Sequence, residues 1–279
     1  MSEDALARAL AFGEDERWDE MVEVLLEALR DEPDDPYLLG WLGVAERERG
    51  NDGAAYEYFK RCVAEDPLDP QLLALAGSGL AAFDDPEAET ALRAAALSGP
   101  DMFTTRLQYG AYLARAGLYR EALEQLRAAI ALDVDDPVGH SELATALALQ
   151  GEVSAAIDRM EHALTLAPED GWNRALLGLL YAEADDMERA AEHLLMASSE
   201  RVDDPEVQAV AALAAMAAGW EDAAHEALAR AGYAAEEPVD ARLVEEAEDR
   251  LASGADAARG MLRDALGPSM LRERLMEPL

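Results

Sequence analysis

Residues 171–204 read GWNRALLGLLYAEADDMERAAEHLLMASSERVDD, and the residue types in this stretch return every 34 positions through most of the chain. With its places numbered 1 to 34, Leu177 falls at 7, Gly178 at 8, Tyr181 at 11 and Asp185 at 15. Ala190 follows at 20, Leu194 at 24, Ala197 at 27 and Val202 at 32. One period upstream the same places hold Leu143, Ala144, Leu147, Gly151, Ala156, Met160, Ala163 and Pro168. Two periods upstream they hold Tyr109, Gly110, Leu113, Gly117, Ala122, Leu126, Ala129 and Val134. Near the N-terminus they hold Leu42, Gly43, Glu46, Gly50, Ala55, Phe59, Cys62 and Pro67. The units end at Pro33, Pro67, Pro100, Val134, Pro168, Val202 and Glu236, spaced by 34, 33, 34, 34, 34 and 34 residues. A period of this size belongs to stacked supersecondary units, in which each unit buries its apolar face only against its neighbours.

Elementary packing rules turn the pattern into helices. Apolar residues at places 4, 7 and 11 make one helical face, and those at 20, 24 and 27 make a second. Gly or Ala at places 8 and 20 lets two helix backbones approach closely. Gly at place 15 suits the left-handed residue that ends a first helix. Each unit is therefore expected to be an antiparallel helix hairpin. Asp35-Pro36, Asp69-Pro70, Asp85-Pro86, Asp136-Pro137 and Asp204-Pro205 mark helix starts. Aspartate caps free backbone N–H groups and complements the helix dipole, and proline fits the first turn.

Leu39-x2-Leu42-Gly43, Ala55-x3-Phe59 and Pro67, with Leu177-Gly178-x2-Tyr181 and Ala190-x3-Leu194, follow the order W-x2-L-G-x2-Y, A-x3-F, A, P. In this the chain resembles the tetratricopeptide repeat family. The resemblance implies an all-α, right-handed superhelical solenoid, with seven hairpins over residues 1–236. Three units depart from the pattern. The first is expected to have a shortened first helix ending near Gly13. The third lacks one residue at its turn near Phe83-Asp84-Asp85-Pro86. The seventh has Ala211, Ala212 and Ala215 at places where larger side chains are usual, which implies looser packing. Residues 237–279 read as a degenerate eighth hairpin and a C-terminal capping helix. Leu243, Val244, Ala247 and Leu251 lie on one of its helices, and Ala258, Met261, Leu262 and Ala265 on the other. Gly267-Pro268 reads as one helix stopping and another starting, and Met270, Leu271, Leu275 and Met276 give the last helix an apolar side. Besides capping, such a tail has a second place open to it, a groove of its own chain or of a neighbour.

The chain has 59 acidic and 23 basic residues, a net charge of −36, and Lys60 is its one lysine. Binding to nucleic-acid backbones or anionic membranes needs clustered cations, so neither is expected. Two readings of the acidity stay open: solubility in a salty cytoplasm, or faster capture of a basic partner. No apolar run reaches the roughly 18 residues of a membrane span. The start, Met-Ser-Glu-Asp-Ala-Leu, does not read as a secretory signal, and a cytoplasmic location is expected. Cys62 stands at place 27 and reads as core.

No catalytic or cofactor pattern is present. His140, His162, His193 and His225 occupy four different places, and no two are three or four residues apart. Gly77-Ser78-Gly79 lies inside a helical pattern and reads as close packing. Asp133, Asp135 and Asp136 lack the glycine and distal glutamate of a calcium loop. The expectation is a non-enzymatic protein that uses no cofactor and no metal.

The resemblance implies that places 2, 5, 9, 12 and 13 of the first helices line a concave face. The candidate partner-binding residues are then Tyr37, Val44, Ser78, Leu107, Ala111, Ser141, Thr145, Trp172, Ala175, Leu179, Leu213 and Met216, with Trp41 at the edge. This face is small and apolar with a few large anchors, and only Arg47 and Arg115 supply cations. It does not suit clamping a terminal carboxylate. It suits a protein or peptide segment inserted by apolar side chains, with basic flanks. An adaptor or scaffold is the expected function. A chaperone shielding an apolar client segment, and a self-assembling scaffold joined through the C-terminal helix, stay open beside it.

Overall fold

The structure, a computed structural model, describes residues 2–276. All regular structure among them is helical, and they form two compact units. In the first, residues 2–132, α1 (Ser2–Glu14) pairs with α2 (Trp18–Asp31), α3 (Pro36–Glu48) with α4 (Asp52–Ala64), α5 (Pro70–Ala81) with α6 (Glu87–Ser98), and α7 (Phe103–Arg115) with α8 (Tyr119–Leu132). In the second, residues 133–276, the pairs are α9 (Pro137–Gln150) with α10 (Val153–Leu166), α11 (Gly171–Glu183) with α12 (Met187–Glu200), and α13 (Pro205–Ala217) with α14 (Glu221–Ala234). Then follow α15 (Pro238–Ala252), α16 (Ala255–Met261), a π-helical stretch Leu262–Leu266, and α17 (Gly267–Met276).

The hairpins close where place 8 meets place 24. A Cβ on Gly43 would lie 2.5 Å from the Phe59 ring, one on Gly110 2.7 Å from Leu126, and one on Gly178 2.5 Å from Leu194. Gly77 and Gly79 likewise face Leu92 and Phe59, so both serve packing. Cys62 is fully buried, and burial pushes its thiol up to about 12. Place 15 is left-handed in every unit. Its φ is 75° at Gly50, 78° at Gly117, 89° at Gly151 and 83° at Gly219. Glu16, Asp84 and Asp185 adopt it too, at 58°, 54° and 67°. Each Asp-Pro aspartate accepts a hydrogen bond from a backbone N–H at the start of the helix that follows.

Four expectations need correction. First, α1 ends at Glu14, near Gly13 as expected, but it is not shortened: its 13 residues equal those of α3, and Glu16 takes the left-handed turn without a glycine. Second, place 4 is not apolar throughout. Arg106, His140, Arg174 and Gln208 occupy it in the fourth to seventh hairpins and bond to carbonyls in the loop that follows the preceding helix, those of Pro100, Val134, Pro168 and Arg201. Loop carbonyls have no helical partner, so these polar side chains satisfy them; His140, Arg174 and Gln208 are buried as they do so. Third, α13 is not loosely packed. Ala211, Ala212 and Ala215 are fully buried in a helix that packs on α12, α14, α15 and α16. Fourth, Gly267-Pro268 does not break the helix. The Gly267 N–H donates to the Leu262 carbonyl, a π-type bond that carries the chain into α17. A Cβ on Gly267 would meet that same oxygen.

The one-residue deletion in the third unit is braced by the only lysine. The Lys60 ammonium donates to Asp85 at 2.8 Å and pairs with Glu87 at 3.0 Å, while the Tyr56 hydroxyl donates to Asp85 at 2.8 Å. Lys60 first, then the Glu87 N–H and Tyr56, hold the buried Asp85 carboxyl below its ordinary range.

Candidate functional site

In the first unit, α3 presents Tyr37, Trp41 and Val44 along one stripe. Trp41 and Val44 are half-buried on the core, as are Leu75 and Tyr112. Tyr37 is 41% exposed, and its hydroxyl donates to Asp69 at 2.8 Å, which raises the phenol above its usual range. A hollow between α5, α6 and α7 is lined by Ser78, Ala81, Gln108, Ala111, Tyr112 and Arg115, among others. The Gln108 Oε1 atom is buried there without a hydrogen-bond partner among the described residues. Leu107 belongs to the core at 6% exposure. Tyr112, at place 10, was missed because the implied inward places exclude it.

In the second unit the corresponding face is covered. Trp172 is half-buried with the Arg201 guanidinium 4.7 Å from its ring centre. Thr145, Ala175, Leu179, Leu213 and Met216 are buried, and the half-buried Ser141 turns its hydroxyl to the Val138 carbonyl. The cover is the chain's own C-terminal segment: α16 packs on α13, the π-helical stretch on α11 and α13, and α17 on α11 and α9. Met270 of α17 lines the same small cavity as Trp172, Ala175 and Leu179. The last helix therefore lies along first helices of its own unit.

Charge fixes this segment at one point. Arg259 reaches Asp185 at 2.6 Å and Arg263 reaches it at 3.2 Å. The Arg259 hydrogen bond is the main cause holding the Asp185 carboxyl below its ordinary value, against a smaller desolvation effect. No periodicity finds a pairing across 74 residues. One signal was nonetheless present: two arginines one turn apart in an acidic chain.

The hairpin also joins two histidines that the sequence spacing kept apart. The rings of His140 and His162 meet edge to face at 4.3 Å. His193 stacks on Tyr181, and burial, more than the nearby Arg174, lowers its basicity. Among the described residues no group of three or more His, Cys, Asp or Glu is placed to hold a metal ion, and no helix is long and apolar enough to cross a membrane.

Residues 147–214, from the end of α9 into α13, match the tetratricopeptide repeat family. Over this stretch the chain carries tetratricopeptide repeats. Tetratricopeptide neighbours are found among solved structures as well. A chain of the APC/C hetero-tetramer Cut9–Hcn1 is 18% identical with a TM-score of 0.68, over 86% of this chain and 48% of that one. The present chain thus spans about half of that protein. A tetratricopeptide repeat protein from Parabacteroides merdae is 15% identical with a TM-score of 0.65, over 88% and 98% of the two chains. A thermophilic tetratricopeptide protein from Thermus thermophilus is 26% identical with a TM-score of 0.50, over 70% and 100%. No curated protein matches the sequence. Tetratricopeptide arrays are protein-interaction scaffolds, generally without catalytic activity.

Proposed function

We propose that this tetratricopeptide chain is a cytoplasmic, non-enzymatic adaptor that holds a partner's segment on the apolar inward face of its first unit. The observation that supports this reading is the half-open stripe of Tyr37, Trp41 and Val44, continued by Leu75 and Tyr112. Aromatic side chains left part-exposed on a rigid helix are the anchors that dominate binding energy. The partner segment offers apolar side chains at helical or alternate spacing, with arginine or lysine at its flanks. Those flanking cations meet a chain of net charge −36, which speeds encounter more than it tightens the complex.

The test is fluorescence polarisation against a panel of labelled amphipathic peptides, with and without flanking arginines. Binders with basic flanks should lose at least tenfold in affinity to Tyr37→Glu and to Trp41→Glu. Tyr37 is exposed enough that its variant keeps the fold. Equal binding by the wild type and Tyr37→Glu chains, at equal helicity, would remove this face as the site.

A further inference from the structure

The segment that covers the second unit's face differs in charge from the rest of the chain. Residues 255–276 hold four arginines against three acidic residues, whereas the whole chain has 23 basic and 59 acidic. This is a locally cationic helix in an anionic protein. Its apolar side, with Met261, Leu262, Met270, Leu271 and Leu275, is buried. Its arginines 259 and 263 share one carboxylate, Asp185. That carboxylate stands at place 15, where the backbone is left-handed and glycine serves best. Glu16 and Asp84 make the same turn. Asp185 differs from them in the two arginines of the C-terminal segment that it holds.

The ion pairs at this contact are open to solvent. Arg259, Arg263 and Asp185 are 44%, 49% and 38% exposed, so water reaches all three. Exposed ion pairs set register more than they hold affinity. The segment changes helical type at the π-helical stretch, and it joins α15 through Ser253 and Gly254, the latter at φ 94°.

We propose that helix 255–276 is a built-in occupant of the second unit's inward face, and that an arginine-bearing amphipathic helix of a partner protein takes the same face when this segment leaves. The proposal deepens the adaptor reading, on which it rests, by naming the partner chemistry and the regulation of its second unit. A tethered occupant acts at an effective concentration of order millimolar, so it suppresses weak ligands and yields to strong ones.

The test uses the full chain and, as probe, a fluorescein-labelled peptide of residues 255–276. In Arg259→Glu/Arg263→Glu, Asp185 repels its own segment but still attracts the arginines of the peptide. Amide exchange across 262–276 should rise at least tenfold, and the peptide should bind at least tenfold tighter than to wild type. Adding Met270→Asp should increase both effects. Unchanged exchange even with Met270→Asp would show that the segment is fixed structure and overturn the proposal. Faster exchange without peptide binding would show that the face is no docking surface, while leaving the Tyr37 and Trp41 test of the first unit standing. A wild-type dimer in light scattering, with 262–276 protected only in the dimer, would assign the face to a second copy and equally overturn it.

Discussion

The two units are built from the same kind of hairpin and differ in what lies on it. The first unit leaves Tyr37, Trp41 and Val44 part-exposed on α3. The second has Leu179, Leu213 and Met216 buried beneath its own α16–α17 segment. The repeat pattern is the same in both, so it settles where the helices go and leaves open which faces are free. Place 15 shows the divergence at a single residue. Gly117 makes the turn in the first unit and does nothing more; Asp185 makes the same turn and also binds two arginines.

The largest expected effect tests what the units have in common. Gly110→Leu and Gly178→Leu each push a side chain into the place-24 leucine of the same hairpin. Each should cost about 2–3 kcal/mol by overpacking. Gly178 should cost more, because the Leu194 backbone nitrogen lies 3.2 Å from the new Cβ and cannot rotate away. Chemical denaturation read separately in each unit by amide exchange measures this. Unchanged midpoints in both variants would mean that the helices do not close at place 8.

Lys60→Met probes a brace that the second unit lacks. It leaves the buried Asp85 with the Tyr56 hydroxyl and the Glu87 N–H only. The folded-state pKa of Asp85 is depressed, so its contribution is present above the unfolded value and lost as pH falls through the folded one. The variant should therefore melt lower than wild type at neutral pH, and the gap should close as pH drops below the ordinary carboxylate range. A gap that persists in acid would assign the effect to the lysine's packing instead.

Exchanging the place-15 residues sharpens the contrast directly. Gly117→Asp should cost about 1 kcal/mol, the price of a side chain in the left-handed region, with no new partner. Asp185→Gly should leave the turn as stable or slightly more so, yet speed exchange across 262–276 several-fold. If Asp185→Gly leaves that exchange unchanged, apolar contact alone holds the segment.

Much of this was legible in the sequence for local reasons. Hairpin boundaries, aspartate caps, the close approach at place 8 and the left-handed place 15 all follow from residues within one period. What was not legible depends on contacts between periods. The place-4 residues Arg106, His140, Arg174 and Gln208 serve carbonyls of the preceding unit, so their polarity looked like noise in an apolar stripe. Leu179 and Leu213 read as lining and are core, because a segment more than 40 residues downstream covers them. A glutamate at Leu179 is thus a destabilising change before it is a probe of binding. Gly267-Pro268 read as a stop because the rule assumes α-helical spacing, and one π-type bond suspends it.

The smallest effect separates the two roles of charge. The chain's self-repulsion at −36 is long-ranged and should relax with added salt. The Debye length falls from about 30 Å at 0.01 M to about 3 Å at 1 M, so repulsion between surface carboxylates is largely gone at the upper limit. The same screening weakens the exposed pairs of Arg259 and Arg263 with Asp185. Repulsion among dozens of carboxylates should outweigh two exposed pairs, so the melting temperature should rise by a few degrees across this range. Sodium chloride is the right titrant, since sulfate would also strengthen apolar burial. Over the same titration, exchange across 262–276 should quicken while the amides of α3 and α7 slow. A melting temperature that stays flat or falls would remove salt relief as the reason for the acidity. Exchange that slows everywhere alike would show that Asp185 does not hold the C-terminal segment by charge.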